Sequence, residues 1–292
     1  TMNTSRGCLF KCSFCFNQGL PHQKWRGLSA KNILNQINYL YKNYNINGIQ
    51  FYEDSFDTNK KRVSEFSDLM IQGGLNSKIK WSHFSNIPYF NEDLVSYEKK
   101  AGLRYIEYGV ESGSQRILDW INKRQTVQHI KEVFKKCDEI GIKTAALFMI
   151  GFPDETEEEL KMTVDLVEDL QAHILICTIY RPYPGTPLFD YCVKNKNFKP
   201  PERLEEQGEF YRFSHMKKDE LNLSRVPTEK LLNLQKSFYA KFAIKEASLC
   251  FKELNLGLLL YYIKQQLHPT NFIYFFKSLL VRISFILQRE AR

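Results

Sequence analysis

From about Ser29 to Tyr180 the chain alternates amphipathic helical stretches with short apolar runs, which restricts it to folds built from repeated β-α units. Residues 29–45 place Ile33, Ile37, Leu40 and Tyr44 at helical spacing behind Ser29, a helix-capping residue. Gly48–Tyr52 then reads as a strand. A helix near 59–72, a strand near 79–84, a helix over Asn91–Ala101 closed by Gly102, and a strand over Arg104–Val110 follow. Two helices come next, the second running from Thr126 to Ile140 with Gly141 just past its end. Thr144–Ile150 and Ile174–Tyr180 are the remaining strands, separated by a helix that Thr156 and Glu159 open at capping-box spacing.

Strands joined by helices of this length need right-handed crossovers and a parallel sheet, and apolar runs such as Leu147–Ile150 predict cover on both faces. The expected fold is α/β: a partial (β/α)6 TIM-like barrel over residues 1–198, then a mainly helical C-terminal region over 199–292. Working residues of such barrels gather where strands end. Here those ends read YEDS, HFSN, VESGS, GFPDE and RPYPGTP. His83 lies near one of them and is expected to face the cavity, although a lone histidine is more often structural than catalytic.

At 292 residues, 43% apolar and 14% aromatic, the chain can bury an ordinary core, and disorder is not the default. Lys and Arg outnumber Asp and Glu by 41 to 33, but the charges are spread along the chain. No concentrated basic stripe marks a nucleic-acid binder, so no nucleic-acid partner is expected. Seven cysteines, three of them crowded together, with no secretory leader, fit a reducing compartment better than a disulfide framework. The expected location is cytoplasmic.

In TSRGCLFKCSFC, Cys8, Cys12 and Cys15 have the spacing CxxxCxxC, which puts three thiolates on one short loop. A structural zinc site wants four closed ligands, and the next cysteine, Cys137, sits on a predicted helix face far along the chain. A cubane iron-sulfur cluster takes four cysteines, so three leave one iron with open positions. Zinc stays open as the alternative.

The loop, with Phe14 just before the third cysteine, resembles the defining motif of the radical S-adenosylmethionine (SAM) superfamily, and the resemblance extends from about Thr4 to Pro187. It implies a 4Fe-4S cluster on Cys8, Cys12 and Cys15, with SAM chelated to the open iron. One electron then breaks a C–S bond of the sulfonium, and the 5'-deoxyadenosyl radical takes a hydrogen atom from substrate. The cofactors carry the difficult chemistry, and the protein positions them. By the same resemblance Glu53 and Asp54, which stand where a Gly-Gly-Glu is usual, are the polar candidates for the methionine amino group. Glu111 and Ser112 fall in the ribose-contacting segment, and Lys123 matches a basic group on the SAM carboxylate. Met149 and Gly151 belong to a segment flanking adenine, and Tyr180 and Arg181 occupy the sixth-strand site.

The set TSRGC, FYEDSF, EYGVESGS, INK, MIGFPDET and PYPGTP is similar to the branch containing cobalamin-dependent methyltransferases and the anaerobic magnesium-protoporphyrin monomethyl ester cyclase. Members of that branch commonly carry a cobalamin-binding domain ahead of the barrel. No DxHxxG string occurs here, and fewer residues than a full first strand precede Cys8. A barrel without that strand would expose the edge of the second, so the expectation is a fragment of a longer protein, with cobalamin held by a missing N-terminal domain. C-methylation or another C–H modification is the leading reaction class. An RNA methylthiotransferase-like enzyme is one alternative, and a non-catalytic iron-sulfur scaffold or electron-transfer protein is another. The resemblance also implies a small-molecule or lipid substrate and a reductant such as flavodoxin or ferredoxin.

Gly257–Ile263 and Asn271–Leu287 form an aromatic tail broken by Pro269. Neither run spans a bilayer, because the longer carries Lys277 and Arg282. It reads either as a helix packed on protein or as an interfacial helix over 271–287 that gives peripheral contact with the inner membrane face.

Overall fold

The computed structural model describes residues 1–19, 24–196, 198–203 and 222–238. The aromatic tail, with its expected membrane contact, lies outside the described residues. One compact unit spans Thr1–Gln235, so residues 222–235 group with the sheet although they lie past position 198. Among the described residues, no helix is long and apolar enough to cross a membrane.

Two short strands, β1 (Ser5–Arg6) and β2 (Arg26–Gly27), pair antiparallel around the cysteine segment. The main sheet holds β3 (Gly48–Phe51), β4 (Lys80–Ser85), β5 (Leu103–Glu111), β6 (Lys143–Ile150) and β7 (Ile174–Ile179), in that order and all parallel. Helices α1 (Ala30–Tyr44), α2 (Lys60–Gln72), α3 (Glu92–Lys100), α4 (Gln115–Trp120), α5 (Val127–Ile140), α6 (Glu157–Asp169) and α7 (Pro187–Asn195) complete the β-α repeat. At the β3 edge Met2 forms a single parallel bridge to Phe51, with its N–H on Gln50 O at 2.8 Å and its carbonyl accepting from Tyr52 N at 2.9 Å. That bridge adds one parallel residue pair at the β3 edge of the sheet.

The helices start where short polar side chains satisfy their first N–H groups. Ser29, Asn59, Asn91, Ser114, Thr126 and Thr186 each accept from the amide three residues on, and Thr156 forms the full reciprocal box with Glu159. Behind β3 and β4, Phe51, Phe56, Phe66 and Trp81 make one buried aromatic block, with Phe51 stacked on Phe56 at 4.4 Å. Full burial of each such ring contributes roughly 1.5–3 kcal/mol.

His83 belongs to this block, which corrects the expectation that it faces the cavity. Trp81, His83 and Ser85 are the buried set of β4, and the His83 ring lies 5.2 Å from Phe56 and 5.9 Å from Trp81. Its Nε2 sits 3.5 Å from the Glu98 carboxylate of α3. Burial pushes Glu98 well above the ordinary carboxylate range and His83 below the ordinary histidine value, so it favours the neutral form of both. Strand parity, with successive side chains on opposite faces, gives the other face to Ser82 and Phe84.

Candidate functional site

The loop carrying Cys8, Cys12 and Cys15 lies across the C-terminal end of the sheet, and residues beyond every main strand touch it. Past β3, Asp54 accepts the Gly7 N–H at 3.0 Å. Past β4, the Tyr89 ring meets Phe10 edge-on at 5.0 Å. Past β5, Ile121 O accepts the Ser13 N–H at 2.9 Å and the Asn122 amide donates to Lys11 O at 2.8 Å. Past β6, Phe152 meets Phe14 at 6.0 Å; past β7, the Leu188 N–H donates to Ser13 O at 3.0 Å. Gly7 (φ 88°) lets the loop leave β1, because a Cβ there would lie 3.0 Å from Lys24 O.

All three thiols are free, and burial raises each above the ordinary cysteine value. Cys12 is pushed to about 11, burial being the largest cause. A bare thiolate is therefore disfavoured, and a cationic centre replacing the protons would relieve that penalty. Among the described residues no three His, Cys, Asp or Glu side chains converge as ligands of one ion. Three cysteines of one loop, each free to serve a different iron, are the donor set a cubane with one open iron requires. The residues present fit that group.

Beside the thiols stands a buried ion pair, Lys123 Nζ to Glu111 Oε1 at 2.7 Å. Burial works against the ammonium, but Glu111 and then Cys12 outweigh it and hold the Lys123 pKa above the usual lysine value. Lys123 also lies 6.0 Å over the Phe14 ring. Glu111 takes a left-handed backbone (φ 67°), a strained conformation of the kind that persists at working sites. Gly109 makes the pair feasible, since a Cβ there would fall 2.6 Å from both Glu111 Oε1 and Lys123 Nζ. The signal in the sequence was a glycine inside a strand, two residues before a carboxylate.

Glu53 sits beneath the loop and spends its carboxylate on it. Its Oε1 accepts from the Thr4 N–H (3.1 Å) and hydroxyl (2.7 Å), and its Oε2 accepts from the Ser5 hydroxyl. Arg62 stands 3.8 Å away, its guanidinium between the Trp25 ring (5.0 Å) and the Phe56 ring (4.7 Å). Of the two candidates past β3, Asp54 is the one on the loop's exposed side. Ser112 turns inward: its fully buried hydroxyl lies 3.3 Å from Thr163 Oγ1 and accepts the Ser114 N–H. Gly113 permits this contact with α6, because a Cβ would lie 2.2 Å from Met162 O.

Met149 is half-buried on β6, paired in register with Thr178. Gly151 is left-handed (φ 77°), and its N–H donates to Glu155 at 2.5 Å. Glu155, passed over in the sequence, is fully buried, leaves Oε1 without a hydrogen-bond partner and is raised by burial to about 7. Tyr180 stacks on Phe152 at 5.5 Å, extending the Phe14–Phe152 contact towards β7, and Arg181 follows it half-buried. The structure thus gathers Cys8, Cys12, Cys15, Phe14, Asp54, Glu111 and Lys123 at one place. It sets Glu53 and Ser112 into the supporting framework and leaves Met149, Gly151, Tyr180 and Arg181 along the β6–β7 rim.

The described residues thus form a parallel β/α half-barrel with three free thiols and a buried Lys-Glu pair at the C-terminal strand ends. The family model described as the Radical SAM superfamily matches residues 2–167, more than half of the chain, and the chain belongs to that superfamily. It is 37% identical over 192 residues to an uncharacterized methyltransferase of Pyrococcus horikoshii, covering 66% of this chain and 41% of that protein. It is 33% identical over 189 residues to the anaerobic magnesium-protoporphyrin IX monomethyl ester cyclase of Cereibacter sphaeroides, covering 64% of this chain and 31% of that protein. The fold matches the radical S-adenosylmethionine methyltransferase TsrM of Kitasatospora setae with a TM-score of 0.60 at 17% identity, over 66% of this chain and 36% of that one. The chain therefore spans less than half the length of these relatives.

Proposed function

We propose that this chain holds a 4Fe-4S cluster on Cys8, Cys12 and Cys15 and uses it to cleave SAM reductively for a C–H modification, with C-methylation the leading reaction class. The observation that carries this reading is the placement of three free thiols beside the Glu111–Lys123 pair, on a loop tied to all five strand ends. When bound, the cluster and SAM supply a one-electron C–S cleavage that yields the 5'-deoxyadenosyl radical. The residues do the rest. Lys123 offers a buried ammonium to a carboxylate, Glu111 offers acceptor oxygens to ribose hydroxyls, and Asp54 offers a carboxylate to an amino group. Phe14, Phe152 and Tyr180 form an aromatic wall that excludes water from one side. Relatives bearing the name methyltransferase support the reaction class, and a cobalamin bound outside the described residues would complete it.

The test is anaerobic reconstitution with iron and sulfide, followed by SAM and dithionite. The expected result is about four irons per chain, a cluster spectrum that changes on adding SAM, and 5'-deoxyadenosine as product. Replacing any one of Cys8, Cys12 and Cys15 by Ala abolishes all three. A reconstituted cluster that neither binds nor cleaves SAM would make the protein a scaffold or electron carrier and sink the proposal. Adding hydroxocobalamin and methyl-labelled SAM then tests for methyl transfer.

A further inference from the structure

Glu111 and Lys123 reach the site from two ends of one stretch of chain, and neither end is stable by itself. Glu111 closes β5 in a left-handed conformation, which persists only where its surroundings over-determine it. Lys123 follows α4, a helix of six residues, and a helix that short is marginal unless something outside it holds it. Both ends are tied to α6 by Glu159 and Thr163, two residues one turn apart on the same face. The fully buried Thr163 hydroxyl accepts the Gly113 N–H at 3.0 Å, lies 3.3 Å from the Ser112 hydroxyl and donates to the Glu159 carbonyl at 3.2 Å. Glu159 Oε1 accepts from the Ser114 hydroxyl at 3.0 Å and from Arg116 Nε at 2.5 Å, and its Oε2 accepts from Arg116 Nη2 at 2.7 Å.

These contacts exceed what α6 needs for itself. Its capping box asks one bond of the Glu159 carboxylate, from the Thr156 N–H at 3.0 Å, and the bonds from Ser114 and Arg116 reach across to the start of α4. Ser114 caps α4 and Arg116 is its second residue, so the carboxylate fixes where that helix begins. A Cβ on Gly113 would lie 2.7 Å from Thr163 Cα, so the turn between β5 and α4 lies flush on α6. From there α4 carries the constraint onward. The Lys123 N–H donates to Leu118 O at 3.0 Å, and Ile121 O accepts the Ser13 N–H of the cysteine loop at 2.9 Å. Resting on the function proposed above, we propose that Glu159 and Thr163 are positioning residues for SAM. Acting through Ser112, Gly113, Ser114 and Arg116, they hold the Glu111 carboxylate and the Lys123 ammonium ready for the ribose hydroxyls and the carboxylate of the cofactor. Preorganisation of this kind raises affinity, because less freedom is lost on binding.

The test uses the full chain with its cluster reconstituted, SAM as the titrant, and Thr163→Val, which keeps the branched shape and removes the hydroxyl. Loss of a group that orients a binding residue costs roughly 10–100-fold, so the SAM dissociation constant, read from the cluster spectrum, should rise about tenfold or more. Iron content should stay at the parent value, and the spectrum at saturating SAM should reach the parent's endpoint. Thr163→Ser, which restores the hydroxyl, should recover most of the affinity. A merely structural role would lower the urea midpoint of Thr163→Val and leave the SAM titration where it is, and that result overturns the proposal. So does Thr163→Ser binding SAM as weakly as Thr163→Val. Should Thr163→Val fail to retain iron, Arg116→Gln decides, because the arginine side chain is half-exposed and its loss empties no core. SAM affinity lower by about two- to fivefold at full iron supports the proposal, and unchanged affinity overturns it. A parent cluster whose spectrum ignores SAM would instead defeat the function on which the proposal rests.

Discussion

The rim above β3 and the rim above β6 close the same end of the sheet by opposite means. Above β3, Glu53 is surrounded by donors from Thr4 and Ser5 and backed by Arg62, so every charge there has a partner. Above β6, Glu155 accepts from Gly151 with one oxygen and leaves the other buried and unpartnered. The first arrangement fixes a loop in place and would be costly to break. The second holds a carboxylic acid near neutrality, ready to gain or lose a proton at small cost. What differs is the supply of donors, since burial raises both carboxyls.

Replacing Glu53 by Ala should give the largest effect. It strands a buried guanidinium and three donors, so unfolding by urea should show a loss of about 3 kcal/mol or more, and the variant should retain little iron after desalting. Unchanged stability would show that Thr4 and Ser5 do not need the carboxylate. Next comes Gly109→Ala, which drives a methyl group into the Glu111–Lys123 pair. Charge-assisted hydrogen bonds contribute about 1.5–3 kcal/mol, so SAM affinity measured by titration should drop at least about tenfold while the cluster still assembles. The smallest effect belongs to Glu155→Gln. Because the folded pKa of Glu155 is raised to about 7, its contribution to stability is full below the unfolded carboxylate value of 4.5 and is lost as pH rises through 7. The variant should therefore lack that decline, and equal pH–stability curves for the two proteins would refute the assignment. Glu159 provides the opposite sign. Burial raises it, but Arg116, Thr156 and Ser114 outweigh burial and lower it to about 2, so its contribution is present above 4.5 and fades as pH falls towards 2.

Much of the fold was legible because its signals are local. Period, capping residues and closing glycines set the five main strands within one residue of their observed bounds. The thiol triplet and the segments VESGS and INK were legible too, as motifs, but the ion pair between Glu111 and Lys123 was not. What was hidden depends on contacts across long stretches of chain. Glu53 meets Thr4 and Ser5 from 49 and 48 residues away, and no local pattern shows that its oxygens are already taken. The parity of His83 was hidden for another reason: Trp81 and Phe84 stand at opposite parity and both are apolar, so alternation in the sequence gave no direction. The two-residue strands β1 and β2 are too short to carry any period.

A loop laced to the ends of all five main strands is more than a ligand holder. Any group that those three sulfurs hold more tightly in the native chain than in the unravelled one would, by mass action, shift the folding equilibrium of the whole sheet. Removing such a group and melting the strand ends would then be, for this architecture, two routes to one event.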